Sequence, residues 1–239
     1  MSLDAWTVEP LGEDGILLRL GSGIEAQINH RVHELADRIA ALRPEYLRDI
    51  VPAYSSLGLF VDLEHRQVCG RAPTEILAPL LAQLGNTNTS HAGHSPPPVI
   101  EIAVCYCADC APDLAEVAAH TGMDHDEVIE RHSGALYTVA MIGFAPGFPY
   151  LLGLDPALAM PRKASPRTLV PAGSVAIGGN QTGIYPSQSP GGWQLIGRTS
   201  ARLFDPRRSA PTLLRPGQQL RFVPVSHEHS LRANEGPQR

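Results

Sequence analysis

The residues with the clearest potential for chemistry lie between Arg167 and Thr199, a segment dense in glycine, proline, serine and glutamine. Arg167 and Arg198 bracket this run, and a guanidinium can donate paired hydrogen bonds to a carboxylate or a phosphate. Between them lie side chains that can orient a ligand by hydrogen bonding, namely Gln181, Tyr185, Ser189 and Trp193. Gly191 and Gly192 would give the pocket its shape, because glycine lets the backbone approach a ligand closely. The alternative is a set of tight barrel corners without a ligand.

A second candidate segment lies just upstream and carries three aromatic rings among prolines and glycines, at Phe144, Phe148 and Tyr150. Proline fixes φ and removes a hydrogen-bond donor, so a segment held between Pro146 and Pro149 positions its side chains rigidly. We predict that Phe144 and Phe148 contact a substrate as one wall of a pocket. The alternative is a plug at one end of a barrel, because pocket linings and core aromatics look alike in sequence.

His132 is the third catalytic candidate, beside the two arginines. It follows a helix start in which Asp124 is the expected cap and Glu127 lies three residues on, as in a capping box. Val128, Ile129 and His132 then fall near one side of that helix, which directs His132 inward. The histidine is either a general base or a core residue held by hydrogen bonds.

Three cysteines cluster as C-x-C-x-x-C at positions 105, 107 and 110, while Cys69 stands apart. A metal site would need a fourth ligand, for which His120 or His125 come into question. Because Cys105 and Cys107 end an alternating strand pattern, we expect small buried or half-exposed thiols and no metal. His227 and His229, in the polar tail, do not resemble metal ligands by their sequence context.

Composition places limits on the partners. The chain has 239 residues, 43% of them hydrophobic, and a net charge of −5 with acidic and basic residues interspersed. This balance predicts no binding to nucleic acid or to an anionic membrane. The start MSLDAW has neither the basic nor the apolar region of a signal peptide, so a cytoplasmic location is expected.

The elements that must position these residues divide into two halves. The first 85 residues predict strands and helices in the order ββαββα, typical of an antiparallel sheet covered by helices. Asn29 is the expected cap of the first helix. Residues 86–98 are polar and end in three prolines, which predicts a linker. Residues 99–226 predict two short helices and many short strands that are separated by Gly/Pro turns. Ala201 to Phe204 is one of these predicted strands. This pattern predicts a nearly closed barrel. Residues 227–239 lack apolar periodicity and are expected to form a disordered tail.

Four motifs in fixed order carry a resemblance to a known family. They are MIGFAPGFPYL (141–151), PRTLVPAGSV (166–175), QTGIYP (181–186) and SPGGWQLIGRT (189–199). Weaker similarity extends to VPAYSSL (51–57) and PDL (112–114). On these segments the chain resembles the KipI/PxpB family, also called allophanate hydrolase subunit 1 or carboxyltransferase subdomain C/D.

The resemblance implies an α+β protein with an amino-terminal α/β sandwich-like domain and a carboxy-terminal cyclophilin-like β-barrel. It also implies a subunit of an ATP-dependent 5-oxoprolinase, which opens 5-oxo-L-proline to L-glutamate. The implied partners are a second carboxyltransferase-like subunit of the PxpC/KipA type and a LamB/YcsF-type subunit, with ATP bound jointly with, or by, a partner. The family leaves two alternatives open: an inhibitor of a histidine kinase, or half of a urea/allophanate-type carboxyltransferase.

The absence of common catalytic motifs agrees with a subunit that needs partners. The sequence contains no G-x-x-x-x-G-K-[ST] phosphate loop, no G-x-S-x-G nucleophile elbow and no H-E-x-x-H zinc helix. We therefore expect that the chain alone is not a complete ATPase or hydrolase.

Overall fold

The computed structural model describes residues 6–68, 70–85 and 98–227. The chain divides into two compact units, residues 1–96 and 97–239. Most of the predicted linker, all of the predicted tail except His227, and Cys69 lie outside the described residues. None of the described helices combines the length and the apolar character needed to cross a bilayer.

The first unit contains the elements β1 (Thr7–Leu11), β2 (Gly15–Arg19), α1 (Ala26–Leu42), β3 (Leu47–Pro52), β4 (Ser56–Val61) and α2 (Pro73–Gly85). The four strands form an antiparallel sheet in the order β1-β2-β4-β3. The core holds inward-facing residues of these strands, such as Leu18 and Leu59, together with Val32 and Ile39 of α1 and Leu77 of α2. The predicted order ββαββα is confirmed.

Asn29 does not cap the first helix, in contrast to the prediction. The helix α1 begins one turn earlier, after Glu25, and Asn29 is buried within it. Its side-chain amide donates to the backbone carbonyls of Ala53 and Tyr54 at 3.1 and 3.3 Å. The prediction relied on the frequency of asparagine at helix starts. Here the buried amide instead satisfies backbone carbonyls of the loop between β3 and β4.

The second unit is dominated by a seven-stranded sheet. Its strands are β5 (Ile100–Val104), β6 (Tyr137–Ile142), β7 (Pro149–Leu152), β9 (Ser174–Gly178), β10 (Gln181–Ile184), β12 (Gln194–Arg198) and β13 (Gln219–Pro224). Their order is β12-β9-β10-β7-β6-β13-β5, with β5 and β13 parallel. A bridge between Cys105 and Arg198 joins the ends of the two edge strands, so the sheet is a nearly closed barrel.

Two helices and a small hairpin complete this unit. They are α3 (Leu114–Thr121), α4 (His125–Gly134) and the pair β8 (Arg167–Val170) and β11 (Ser189–Gly191), and a short 3-10 turn spans Pro156–Leu158. Asp124 caps α4 by accepting a hydrogen bond from the backbone N–H of Glu127 at 2.8 Å, as the capping-box pattern predicted. The α+β class, with a barrel after the first domain, is confirmed.

The strand predictions for the barrel were incomplete. Residues 142–152 were expected to form a rigid wall and no strand was predicted at residues 181–184, but residues 149–152 and 181–184 are both barrel strands. Their glycine and proline content hid this, because Gly183 lies where backbone and the Phe148 ring come close and a side chain would not fit. Conversely, Ala201 to Phe204 forms no strand and takes part only in an isolated bridge from Phe204 to Thr212.

Candidate functional site

An open pocket of about 190 Å³ lies on the barrel unit, next to the start of β12. Its lining combines three chemical types: aromatic rings, cations and small residues. The aromatic members are Phe144, Phe148, Tyr150, Tyr185 and Trp193; the cations are Arg162 and Lys163; the small residues are Pro166, Gly191 and Gly192. The volume lies below the range of about 300–1,000 Å³ typical of sites for drug-sized molecules, so the pocket suits a small ligand.

The aromatic wall is a packed cluster centred on Phe148. The ring of Phe148 meets the rings of Tyr185 and Trp193 edge to face, with centroids 5.2 and 5.7 Å apart. Tyr150 completes the cluster at 4.9 Å from Phe148. Phe148, Tyr185 and Trp193 are buried. Such edge-to-face contacts fix ring orientation, so this wall is rigid before any ligand arrives.

Two glycines allow the aromatic wall to form. A Cβ at Gly191 would collide with the hydroxyl of Tyr185, and a Cβ at Gly178 would lie 2.5 Å from the indole of Trp193. Both rings therefore rest directly on glycine backbone. This is the close approach that only glycine permits, and it explains part of the glycine density of the segment.

Phe144 stands at the mouth of the pocket in an unusual conformation. Its backbone φ is +65°, in the left-handed region, and 62% of the residue is exposed to solvent. The ring touches Phe148 and Tyr185, with centroids 5.3 and 6.2 Å away. A bulky residue at positive φ costs free energy and persists only where the surroundings enforce it, a feature that concentrates at functional sites.

The cationic side of the pocket comes from the segment before β8. Arg162 lies over the Trp193 ring, 5.8 Å from its centroid. Lys163 donates to Glu116 at 2.8 Å and lies 3.0 Å from Asp113. Sequence reasoning missed both cations. The available signal was their position, PRK (161–163), directly before the PRTLVPAGSV motif.

Asp113 organises the cations from behind. Its Oδ1 accepts from Arg167 Nη2 at 2.6 Å, and its Oδ2 accepts from the backbone N–H of Leu195 at 2.7 Å. Burial by itself would raise the pKa of this carboxyl, but the hydrogen bonds from Arg167, the Leu195 N–H and Lys163 outweigh burial and lower it. Asp113 is thus a buried anion that connects α3, β8 and β12. Only its place in the PDL segment of the family resemblance hinted at this role.

The predicted ligand-binding residues divide into two groups. Phe144, Phe148, Tyr185, Gly191, Gly192 and Trp193 line the pocket. Gln181 and Ser189 do not line it: Gln181 is buried at the start of β10, and Ser189 lies on β11 opposite Val170. The Ser189 hydroxyl is buried and has no hydrogen-bond partner among the described residues.

In contrast to the prediction, Arg167 and Arg198 do not line the pocket. Arg167 is bound to Asp113 behind the wall, although its Nη1 is buried and meets no acceptor in the described part of the chain. Arg198 is exposed at the far end of β12, and its side chain donates to the Ala172 carbonyl at 3.2 Å. Arg198 lies five positions along the chain from Trp193, which corresponds to roughly 16 Å in an extended strand. The two arginines at the ends of the segment 167–199 therefore do not form a pair of hydrogen-bond donors to one bound anion.

His132 is a core residue, and the structure does not support its predicted catalytic role. The side chain is fully buried, and burial lowers its pKa to about 3, so the imidazole is neutral. Thr182 donates its hydroxyl to the Ala176 carbonyl at 2.9 Å, so it must accept from His132 Nε2 at 3.0 Å. Nδ1 then accepts from the Tyr106 hydroxyl at 2.9 Å. The ring also stacks on Phe222, with centroids 4.7 Å apart, and has no open face for a substrate.

The cysteine cluster has a fourth member that sequence reasoning did not identify. Cys105 and Cys110 are buried and Cys107 is half-buried, as expected for thiols at a strand end. However, His227 joins them, and the four candidate ligand atoms lie within 4.8 Å of one another. Neither His120 nor His125 belongs to this group. Sequence reasoning rejected His227 as a metal ligand, because 117 residues separate it from Cys110 and only the fold brings the two together.

The fold and the pocket define a carboxyltransferase-type barrel protein. The sequence model described as carboxyltransferase domain, subdomain C and D, matches residues 6–214, and the chain belongs to this family. Among curated relatives, a 5-oxoprolinase subunit of Bacillus subtilis is 40% identical over 233 residues, covering 93% of this chain and 94% of the relative. The 5-oxoprolinase subunit of the same name from Escherichia coli O157:H7 is 42% identical over 215 residues, covering 90% and 94%. The predicted family is confirmed.

Solved structures agree with this assignment. One crystal structure is 40% identical with a TM-score of 0.76, and this chain, matched over 89% of its length, spans only 40% of that longer chain. An uncharacterized protein from Pyrococcus horikoshii is 39% identical over 93% of this chain and 99% of its own, with a TM-score of 0.54. The urea carboxylase of Kluyveromyces lactis is 21% identical, with a TM-score of 0.73, and the match covers 96% of this chain and 22% of the urea carboxylase. At this identity the match supports the fold alone.

Proposed function

We propose that this chain is a non-autonomous subunit of an ATP-dependent 5-oxoprolinase. It would act with a carboxyltransferase-like subunit of the PxpC/KipA type and a LamB/YcsF-type subunit to open 5-oxo-L-proline to L-glutamate. The observation that carries the proposal is the aromatic and cationic pocket in a chain whose near full-length relatives are named as subunits of a 5-oxoprolinase.

The pocket chemistry suits a small anionic ring compound. 5-Oxoproline has a flat lactam ring and a carboxylate, and it is far smaller than a drug-sized ligand. The lactam ring would pack against the aromatic wall, and the carboxylate would meet Arg162 or Lys163. Aromatic faces and charge-assisted hydrogen bonds are the groups that recognise these two parts.

The same pocket supports a need for partners. None of the ten lining residues is a serine, threonine, cysteine, histidine, aspartate or glutamate, so the wall has no carboxylate base. Its one amine, Lys163, is paired with Glu116 and Asp113, which raise its pKa and keep it protonated and non-nucleophilic. Groups that activate water and bind ATP would therefore come from the other subunits. The exposed, strained Phe144 at the mouth of the pocket is the residue we expect a partner subunit to cover.

The test is reconstitution. The chain is co-expressed with candidate partner subunits from the same genome, and glutamate release from 5-oxoproline is followed with and without ATP. We expect release only with all subunits and ATP present. Arg162→Ala should lower kcat/KM by at least about tenfold, the loss of one charge-assisted contact. The matched control is Arg221→Ala, which removes an exposed arginine that does not line the pocket.

Two results would contradict this proposal. The first is ATP-dependent lactam opening by the partners without this chain. The second is an assembled complex in which Arg162→Ala and Arg221→Ala have equal and negligible effects. Assembly is checked by co-purification in both cases, so a failed assembly is not mistaken for a failed site.

A second candidate function has its own support. The urea amidolyase of Saccharomyces cerevisiae is 34% identical over 119 residues, which is 47% of this chain and 6% of that protein. The chain could therefore form half of a carboxyltransferase that acts on urea or a related amide. The same co-expressed complex, supplied with a biotin carboxylase, a biotin-carrier partner, ATP, bicarbonate and urea, would show urea-dependent ATP hydrolysis if this alternative holds. Inhibition of a histidine kinase stays a prediction from the family resemblance.

A further inference from the structure

Three cysteines and one histidine converge at the closure of the barrel, away from the residues that line the pocket. Cys105 directly follows β5, Cys107 and Cys110 lie in the loop that leads to α3, and His227 follows β13. Because β5 and β13 are parallel neighbours, their carboxyl ends meet at the same edge of the sheet. The backbone N–H of Val225 still donates to the Val104 carbonyl at 2.9 Å, which brings His227 next to the loop.

The distances from His227 to the three sulfurs match tetrahedral coordination. The Nδ1 atom of His227 lies 3.9, 3.4 and 3.7 Å from the sulfurs of Cys105, Cys107 and Cys110. A zinc ion with Zn–S of about 2.3 Å and Zn–N of about 2.0–2.1 Å would hold a nitrogen and a sulfur ligand about 3.6 Å apart. The three cysteines are free thiols, so no disulfide accounts for their approach.

Hydrogen bonding alone does not explain why three sulfurs surround one nitrogen. An imidazole Nδ1 has either one proton or one lone pair, so it can form one good hydrogen bond and not three. A metal ion placed between the four atoms would bind each of them once. We propose that Cys105, Cys107, Cys110 and His227 form a structural zinc site.

The local backbone fits this assignment. The Cys110 N–H donates to the Cys107 carbonyl at 2.9 Å, which closes a tight turn across the Cys-x-x-Cys spacing. Backbone N–H groups of Asp109 and Cys110 point to the Cys107 sulfur. Donors of this kind orient a thiolate ligand and stabilise its charge. Three neighbouring thiolates need a positive charge between them, and zinc supplies that charge when it displaces the thiol protons.

Zinc is the metal that this ligand set favours. Three thiolates and one imidazole form a standard set for structural zinc, and soft sulfur ligands disfavour magnesium, calcium and manganese. All four positions come from the protein, so no position stays open for water or substrate. The ion would tie the segment after β13 to the loop before α3.

The test measures metal content and ligand identity in the full-length chain. The protein is purified without a histidine tag or chelator in a non-thiol reductant, and zinc is quantified by mass spectrometry. We expect one zinc per chain. Replacement by Co²⁺ should give intense visible d–d bands and a thiolate-to-cobalt charge-transfer band, which report tetrahedral sulfur coordination.

Single variants identify the ligands. Cys107→Ser and His227→Gln, both at half-buried positions, should each weaken zinc binding in a chelator competition by about 100-fold or more. Loss of a residue that only supports a metal ligand already costs up to about 100-fold in affinity, and loss of the ligand itself should cost at least as much. The matched controls are Cys69→Ser, the remaining cysteine, and His125→Gln, an exposed histidine, and both should bind zinc like the wild type. His227→Gln alters one partly exposed residue near the end of the chain and is expected to fold.

The opposing results are specific. A folded, reduced wild-type chain that binds neither zinc nor Co²⁺ above the level of the Cys107→Ser variant would overturn the site. Isolation of a Cys107–Cys110 disulfide under the reducing purification would do the same. Metal binding that His227→Gln leaves unchanged would overturn the four-ligand site in favour of a thiolate-only one.

Discussion

Cys105 and Arg198 exchange two backbone hydrogen bonds, 2.8 Å from the Cys105 N–H to the Arg198 carbonyl and 2.9 Å in the reverse direction. This pair joins β5 to β12, the two edges of the seven-stranded sheet. An edge strand presents unpaired N–H and C=O groups, and closure satisfies them. The structural contribution of Arg198 is therefore made by its backbone, which any residue except proline could supply.

The first prediction follows for the Arg198 side chain. Arg198→Ala removes an exposed group whose described contact is one hydrogen bond to a loop carbonyl. The free energy of unfolding should change by less than about 0.5 kcal/mol, and turnover of the assembled complex should stay at the wild-type level. Urea denaturation and the glutamate-release assay measure the two quantities. A large loss of turnover in an intact complex would restore the anion-binding role that the sequence suggested.

The second prediction compares two adjacent glycines. A Cβ at Gly191 would collide with the Tyr185 hydroxyl, whereas a Cβ at Gly192 would meet Pro166 at an ordinary 3.5 Å. Gly191→Ala should therefore cost about 1–3 kcal/mol of unfolding free energy and shift the Tyr185 ring, with loss of turnover. Gly192→Ala should stay within about 0.5 kcal/mol of the wild type. Equal behaviour of the two variants in urea denaturation would show that the Tyr185 contact does not restrict position 191.

The third prediction concerns the buried carboxylate of Asp113. Asp113→Asn removes the charge that Arg167 and Lys163 share, and it should cost on the order of 2–3 kcal/mol because hydrogen bonds to charged groups are the strong ones. Glu116→Gln is the control, since Glu116 binds the same Lys163 but its side chain is 54% exposed. Its cost should stay below about 1 kcal/mol. Chemical denaturation of both variants decides the point, and a larger cost for Glu116→Gln would contradict it.

The fourth prediction is a pH dependence that arises from His132. Its pKa is lowered by burial to about 3 in the folded state, against about 6.5 in the unfolded chain. The unfolded state therefore binds more protons between these values. The contribution is fully present above about pH 6.5 and is lost as pH falls towards about 3, with a slope of up to about 1.4 kcal/mol per pH unit.

The measurement for His132 is the unfolding free energy at several pH values between about 7 and about 4. Carboxylates titrate in part of the same range, so the informative quantity is the difference between variants. His132→Gln keeps a donor and an acceptor but does not titrate, and its stability should fall less steeply with acidification. The exposed His125→Gln should keep the wild-type slope. Parallel curves for the wild type and His132→Gln would show that His132 is not the neutral core group described above.

Local patterns of the sequence were sufficient for much of the fold. The order ββαββα, the Asp124 cap and strand β6 follow from periodicity and capping chemistry, which depend on residues close in the chain. The aromatic and glycine motifs also identified most of the pocket wall. A glycine required by a ring a few residues away, such as Gly191 beneath Tyr185, leaves a visible trace in the motif.

The tertiary structure decided which charged and sulfur-bearing groups meet. Asp113 reaches Arg167 across 54 residues, and His227 reaches Cys107 across 120. No local pattern encodes these pairs, because they depend on which strands become neighbours when the barrel closes. The same closure buried His132 and turned Arg198 away from the pocket. Sequence alone thus determined the family and the shape-giving residues, whereas electrostatic partners and the cysteine cluster arose from long-range strand pairing.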